Sequence, residues 1–142
     1  MHIEDVPGAE ARFLAFYGTW DSDKSWVNVS QELIIYPSSQ AASNAYDKWL
    51  AEYTEAWIVP SELKIAGHAE RMHVTCLPGY INGIPYNVCE AVSLYDNALS
   101  ILGGNVFDNR WLTMEDFEAV LEAMDRRIAA AQEGRQETDQ QE

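Results

Sequence analysis

His68, His73, Cys76 and Cys89 follow one another with the spacing H-x4-H-x2-C-x12-C, a zinc-finger spacing written in reverse. A structural zinc ion needs four such ligands converging at tetrahedral angles. ERMHVTCL, 70–77, reads as a β-strand from its β-branched residues. Alternation then sends His73 and Cys76 to opposite faces, and likewise His68 and His73 if the strand reaches that far. No metal and no cofactor are expected. Redox catalysis of the thioredoxin kind sets two cysteines close in sequence, one of them at a helix N-terminus. Cys76 and Cys89 are instead separated by 13 positions between strand-like flanks.

Two readings of the cysteines stay open. In neighbouring antiparallel strands joined by a 77–88 loop they would lie nearly opposite each other, within bridging distance. Closing such a loop is worth about 3 kcal/mol in chain entropy, and a disulfide would imply export to an oxidising compartment. The alternative is a pair of free buried thiols in a cytosolic protein.

Other catalytic signatures are missing: the chain has no G-x-S-x-G, H-E-x-x-H, P-loop or G-x-G-x-x-G. Glu115 and Asp116 suit a helix start, and Asp21 and Asp23 suit a turn, so neither pair calls for acid/base work. His68 and His73 read as strand or loop side chains; a hydrolase would need one of them beside a carboxylate in a pocket. No enzyme is expected. Tyr80 and Tyr86, on the loop between the cysteines, and Trp111 are the candidate partner- or ligand-binding residues, because aromatic side chains give contact area at little entropic cost. The plainer alternative is that they cover a sheet end. Trp49, Tyr53 and Trp57 fall on a helical stripe and are assigned to the core.

These residues need elements to position them. RFLAFYGTW, 12–20, and WVNVSQELIIYP, 26–37, read as two strands parted by a DSDKS turn. After Pro37, Ser38 or Ser39 caps a helix whose apolar positions Ala42, Tyr46, Trp49, Leu50, Tyr53 and Trp57 share one face, with Pro60 ending the region. ELKIAG, ERMHVTCL, PYNVCEAVSLY and ALSILGGNVF read as three or four antiparallel strands. YDNAL is a tight turn, and Gly103-Gly104-Asn105 a turn or a bulge. Thr113 and Asp116 form a variant capping box, with Leu112 stapled on Phe117, for a last helix from 113 to about 131. Arg126 and Arg127 favour its negative end. The order ββα-βββ(β)-α gives an α+β class, an antiparallel β-sheet packed by two amphipathic helices. Residues 1–10 form a flexible lead-in, 11–131 a single domain and 132–142 a disordered polar tail.

Of 142 residues, 47% are apolar, enough for one ordinary core. Asp and Glu number 23 against 9 Lys and Arg, a formal net charge of -14. Phosphate binding needs clustered cations, so nucleic acid and anionic membranes are unsuited partners. No apolar run approaches the roughly 18–20 residues of a membrane span, and MHIEDVPGAEARF lacks the pattern of a signal peptide. The chain is either cytoplasmic or a mature domain whose leader was removed.

QELIIYPSSQAASNAYDKW resembles the strand, Tyr-Pro-Ser and Ala-rich helix of extracytoplasmic domains in bacterial lipoproteins and receptor-kinase sensors, the PknH-like sensor group. AVSLYDNALSILGGNV with LTMEDFEAVLEAMDRRI resembles the closing hairpin and last helix of such domains. The resemblance implies an antiparallel sheet with helices packed on it, and non-catalytic sensing or binding outside the membrane. This chain departs from the group in having both cysteines in its strand region, where the group adds bridges to helices, and in lacking a lipid-attachment cysteine near its start. The expectation is therefore an extracytoplasmic ligand- or protein-binding domain of unknown oligomeric state. The alternative is a cytoplasmic acidic interaction protein, of toxin-immunity or nucleic-acid-mimic type, facing a basic protein partner.

Overall fold

The computed structural model describes residues 8–18, 28–57 and 67–141. The element order is β1 (Ala11–Gly18), β2 (Asn28–Ile35), α1 (Ser39–Ala51), β3 (Arg71–Ile81), β4 (Ile84–Tyr95), β5 (Ala98–Val106) and α2 (Met114–Gln141). The expected α+β class is found, with a five-stranded sheet in the order β1-β2-β5-β4-β3 and every neighbouring pair antiparallel. The DSDKS turn, residues 62–66 of ELKIAG, Pro60 and the first seven residues of the lead-in lie outside the described residues.

The helices cover opposite faces of the sheet. Ala42 and Tyr46 of α1 pack on Ile34, Val92, Leu94, Leu99 and Ile101. Phe117, Leu121 and Met124 of α2 pack on Val74, Cys89, Ala91, Leu102 and Val106. Central strands β4 and β5 are thus buried on both sides, which is why AVSLY and ALSIL are buried at every position, Ser93 and Ser100 included, and not at alternate ones.

Local chemistry explains the ends of α1. The Ser38 hydroxyl accepts from the Ala41 amide at 3.1 Å and caps the helix. The helix stops at Ala51, not at Trp57 as its apolar spacing suggested. Tyr53 lies beyond the cap and directs its hydroxyl to Glu90 on β4 at 3.0 Å, while a further turn links the Trp57 amide to the Thr54 carbonyl.

The expected loop between the cysteines is instead a continuous ribbon. β3 and β4 stay in register from Arg71↔Leu94 to Ile81↔Ile84, and the turn is only Asn82-Gly83, with φ of 50° and 76°. Two positive φ values are what a two-residue hairpin turn matching the strand twist requires, and Asn-Gly supplies them at little cost. The prolines do not break the ribbon. Pro78 is on edge strand β3, and at Pro85 strand β4 has passed the end of its pairing with β5.

Gly103 and Gly104 are neither turn nor bulge, since they pair in regular register with Ser30 and Val29 on one side and Glu90 and Cys89 on the other. Gly104 is where the segment leading into α2 presses on the sheet. A Cβ there would lie 3.0 Å from Leu112 Cδ2 and 3.5 Å from Phe117 Cδ2. The capping box forms as expected, with the Thr113 amide donating to Asp116 Oδ2 at 2.9 Å and the Asp116 amide donating to Thr113 Oγ1 at 3.2 Å. The Thr113 amide, together with the Thr113 hydroxyl donating to the same Oδ2 at 3.0 Å, holds the Asp116 carboxyl below its ordinary pKa. Helix α2 does not end near 131. It runs on to Gln141, and Gln132, the first residue of the expected tail, donates to the Tyr95 carbonyl at 2.9 Å.

Candidate functional site

Cys76 and Cys89 face each other in register and form a disulfide with a Cα–Cα distance of 4.1 Å. Both are buried in the α2-side core. Their sulfurs are committed to each other and offer nothing to a metal. His73 lies on the opposite face, its ring 5.9 Å from that of Tyr53. Among the described residues no group of three or more His, Cys, Asp or Glu side chains could hold a metal ion.

The three aromatic candidates separate. Tyr80 pairs with Pro85 and Tyr86 with Gly79, so the two tyrosines project from opposite faces of the ribbon. Tyr80 is 77% exposed. Tyr86 is half-buried: its ring covers Gly79, where a Cβ would come within 3.0 Å of it, and stacks on Phe107 at 5.8 Å between centroids. Phe107 in turn meets Trp111 edge-on at 4.8 Å. Tyr86 and Trp111 are therefore joined through Phe107, a residue the sequence did not single out. Trp111 adopts φ 56°, a costly backbone for a bulky side chain, while the Phe107 amide to Leu112 carbonyl bond at 2.7 Å closes the loop around it. The Arg110 guanidinium sits over its indole at 5.0 Å.

His68 has a carboxylate beside it. Its Nδ1 is 2.7 Å from Asp125 Oδ2, and its backbone amide donates to the same carboxylate at 2.9 Å. The Tyr95 hydroxyl donates to Asp125 Oδ1 at 2.7 Å. Burial alone pushes the Asp125 pKa up, but the bonds from Tyr95 and His68 outweigh it and hold the carboxyl below its ordinary value. Burial, then the bond and charge of Asp125, push the Tyr95 hydroxyl up, so it remains a donor. Gly67 lets the chain pass close, since a Cβ would lie 3.3 Å from Asp125 Oδ1. Among the described residues no hydroxyl or thiol hydrogen-bonds the His68 ring, and the group clasps the approach to β3 onto β4 and α2.

Among the described residues, the other end of the α1 face is not covered by a helix. Helix α1 shields only the half of the sheet around Ile34, Leu99 and Val92. Beyond it lies a cleft of about 270 Å³, floored by Ser30, Glu32, Glu90 and Gly103 and walled by Trp49 and Leu14. Glu32 forms an ion pair with Arg12 across β1 and β2, both side chains being largely shielded. Glu90 accepts from Tyr53, whose hydroxyl pKa is raised by burial and by the Glu90 charge. Edge strand β1 bounds this face. It exposes Phe13 by 61%, Leu14 by 51% and Phe16 by 53%, with Phe13 on the α2 side and the other two on the α1 side. A first strand rich in aromatic residues at 12–20 was legible in the sequence; its place at the sheet edge was not.

No helix among the described residues is long and apolar enough to cross a membrane. Comparison with known protein families, with curated proteins and with solved structures finds no match for the chain.

Proposed function

We propose that this chain is a non-catalytic binding module, working outside the membrane, that takes a protein partner on the open edge of its sheet. The observation that carries this reading is β1: an edge strand with Phe13, Leu14 and Phe16 each more than half exposed. Among the described residues no strand pairs with its outer side. Unpaired edges invite pairing with another chain, and natural proteins normally blunt them with charge or proline. Here the one charged side chain in Ala11–Gly18 is Arg12, which Glu32 neutralises. An added strand would satisfy the edge and bury apolar surface on both faces. The net charge of -14 favours a basic partner. The buried Cys76–Cys89 bond supports an oxidising compartment and counts against the cytoplasmic alternative, which calls for free thiols.

The test is a photo-crosslinking side chain placed at Phe16 and, as a control, at Glu118 on α2, in cells that export the protein. The partner recovered at position 16 is then purified and bound to the unmodified chain. Amide exchange across Ala11–Gly18 is expected to slow in that complex. A partner that leaves β1 exchange unchanged while protecting another surface would overturn the edge-strand reading.

A further inference from the structure

We propose that the cleft beyond the end of α1 binds a primary alkylammonium group through Glu90. The inference goes beyond the edge-strand reading and does not depend on it. Among the described residues the cleft lining carries two carboxylates, Glu32 and Glu90, and no cationic side chain. Among the described residues only one of the two is compensated, because Arg12 pairs with Glu32 and no cation there pairs with Glu90. Glu90 is also held in place. Tyr53 donates to its Oε1 at 3.0 Å. Among the described residues no group engages Oε2, which is the oxygen offered to a ligand.

The surroundings suit an ammonium more than a guanidinium. With Oε1 engaged, Glu90 offers a single oxygen and not the bidentate pair that a guanidinium fork prefers. An ammonium distributes three donors, and the Ser30 hydroxyl on β2, one strand beyond β5, supplies a further acceptor on the cleft floor. Gly103, paired between Ser30 and Glu90, opens the space between them: a Cβ there would stand 3.2 Å from Ser30 Oγ and 3.9 Å from Glu90 Cγ. Leu14, Val88 and Trp49 present apolar surface for the alkyl stem. The cleft volume of about 270 Å³ accommodates a short chain and little more.

The probe is n-butylamine, titrated at pH 7 into the isotopically labelled full chain, with n-butanol as a neutral match of the same length. Saturable amide shifts are expected at Ser30, Glu90 and Gly103 with the amine alone, in the millimolar range. Glu90→Gln keeps an acceptor for Tyr53 and nearly the same shape, so it is expected to fold as before and to weaken binding at least tenfold. Gly103→Ala, which narrows the floor without touching any charge, is expected to weaken it several-fold. The proposal is overturned by equal shifts with butanol, by amine shifts centred outside the cleft, by no saturable shift, or by Glu90→Gln binding as the unmodified chain does.

Discussion

Asp125 is almost fully buried yet ionised, because one tyrosine hydroxyl, one backbone amide and one imidazole converge on it. Asp125→Asn removes the charge from these bonds and turns one oxygen into a donor, which is expected to cost about 1.5–3 kcal/mol in urea unfolding at pH 7. The pH dependence follows from its depressed pKa. On acidification the unfolded chain protonates first, at the ordinary value of 3.8. The stability due to Asp125 is therefore complete above that value and is lost as pH falls through the lower folded one. The gap between wild type and Asp125→Asn is expected to close below about pH 4; a gap that widened there would contradict the assignment. None of this was visible in the sequence, since His68 and Asp125 stand 57 positions apart and only the packing of α2 on β4 joins them. The tyrosines were visible, but their roles differ. Tyr80→Ala is expected to change stability by no more than about 0.5 kcal/mol, the side chain being 77% exposed. Tyr86→Ala uncovers Gly79 and unstacks Phe107, with an expected loss of about 1–2 kcal/mol in thermal or urea unfolding.

Among the elements, the β3–β4 hairpin shows what local chemistry can and cannot specify. The opposition of Cys76 and Cys89 was readable from two strand-like flanks. Asn82-Gly83 is the strongest short-range hairpin signal in the chain, but it was masked by Pro78, Pro85 and Gly79, which together resemble a loop. The prolines are tolerated because the ribbon extends past its neighbours, a property of strand order that periodicity cannot express. α1 likewise obeys its apolar spacing only as far as Ala51, after which the Tyr53 bond to Glu90 competes with another helical turn. Since the turn fixes register independently of the bridge, Cys76→Ala/Cys89→Ala is expected to keep the same circular dichroism spectrum. The bridge would still be worth about 2–4 kcal/mol, read as a lowered unfolding midpoint. A double variant that lost its β signal at room temperature would show that the bridge, and not Asn82-Gly83, sets the pairing. The cleft was beyond sequence reading for a related reason: Ser30, Gly103 and Glu90 come from three strands and meet only through the register of β2, β5 and β4.

At the scale of the whole molecule, an apolar edge and a large negative charge act against each other. Phe13, Leu14 and Phe16 would draw two copies together along β1, while a formal charge of -14 on each copy holds them apart. Salt acts on only one side of that balance. The screening length falls from roughly 10 Å at 0.1 M to about 3 Å at 1 M ionic strength, whereas apolar attraction is not screened. The protein is expected to be monomeric by light scattering at 50 mM salt and to self-associate at 1 M. Phe13→Ser/Leu14→Ser/Phe16→Ser is expected to stay monomeric at both, and to unfold at nearly the same urea concentration, because these side chains are mostly solvated already. A basic partner must respond in the opposite sense, binding more weakly as salt rises, since the same charge that repels a second copy attracts it. The two salt responses would then share one strand and differ only in sign. If the triple variant associated at 1 M salt as strongly as wild type, the exposed edge would not be the contact, and the surface on which the proposed function rests would have to be sought elsewhere.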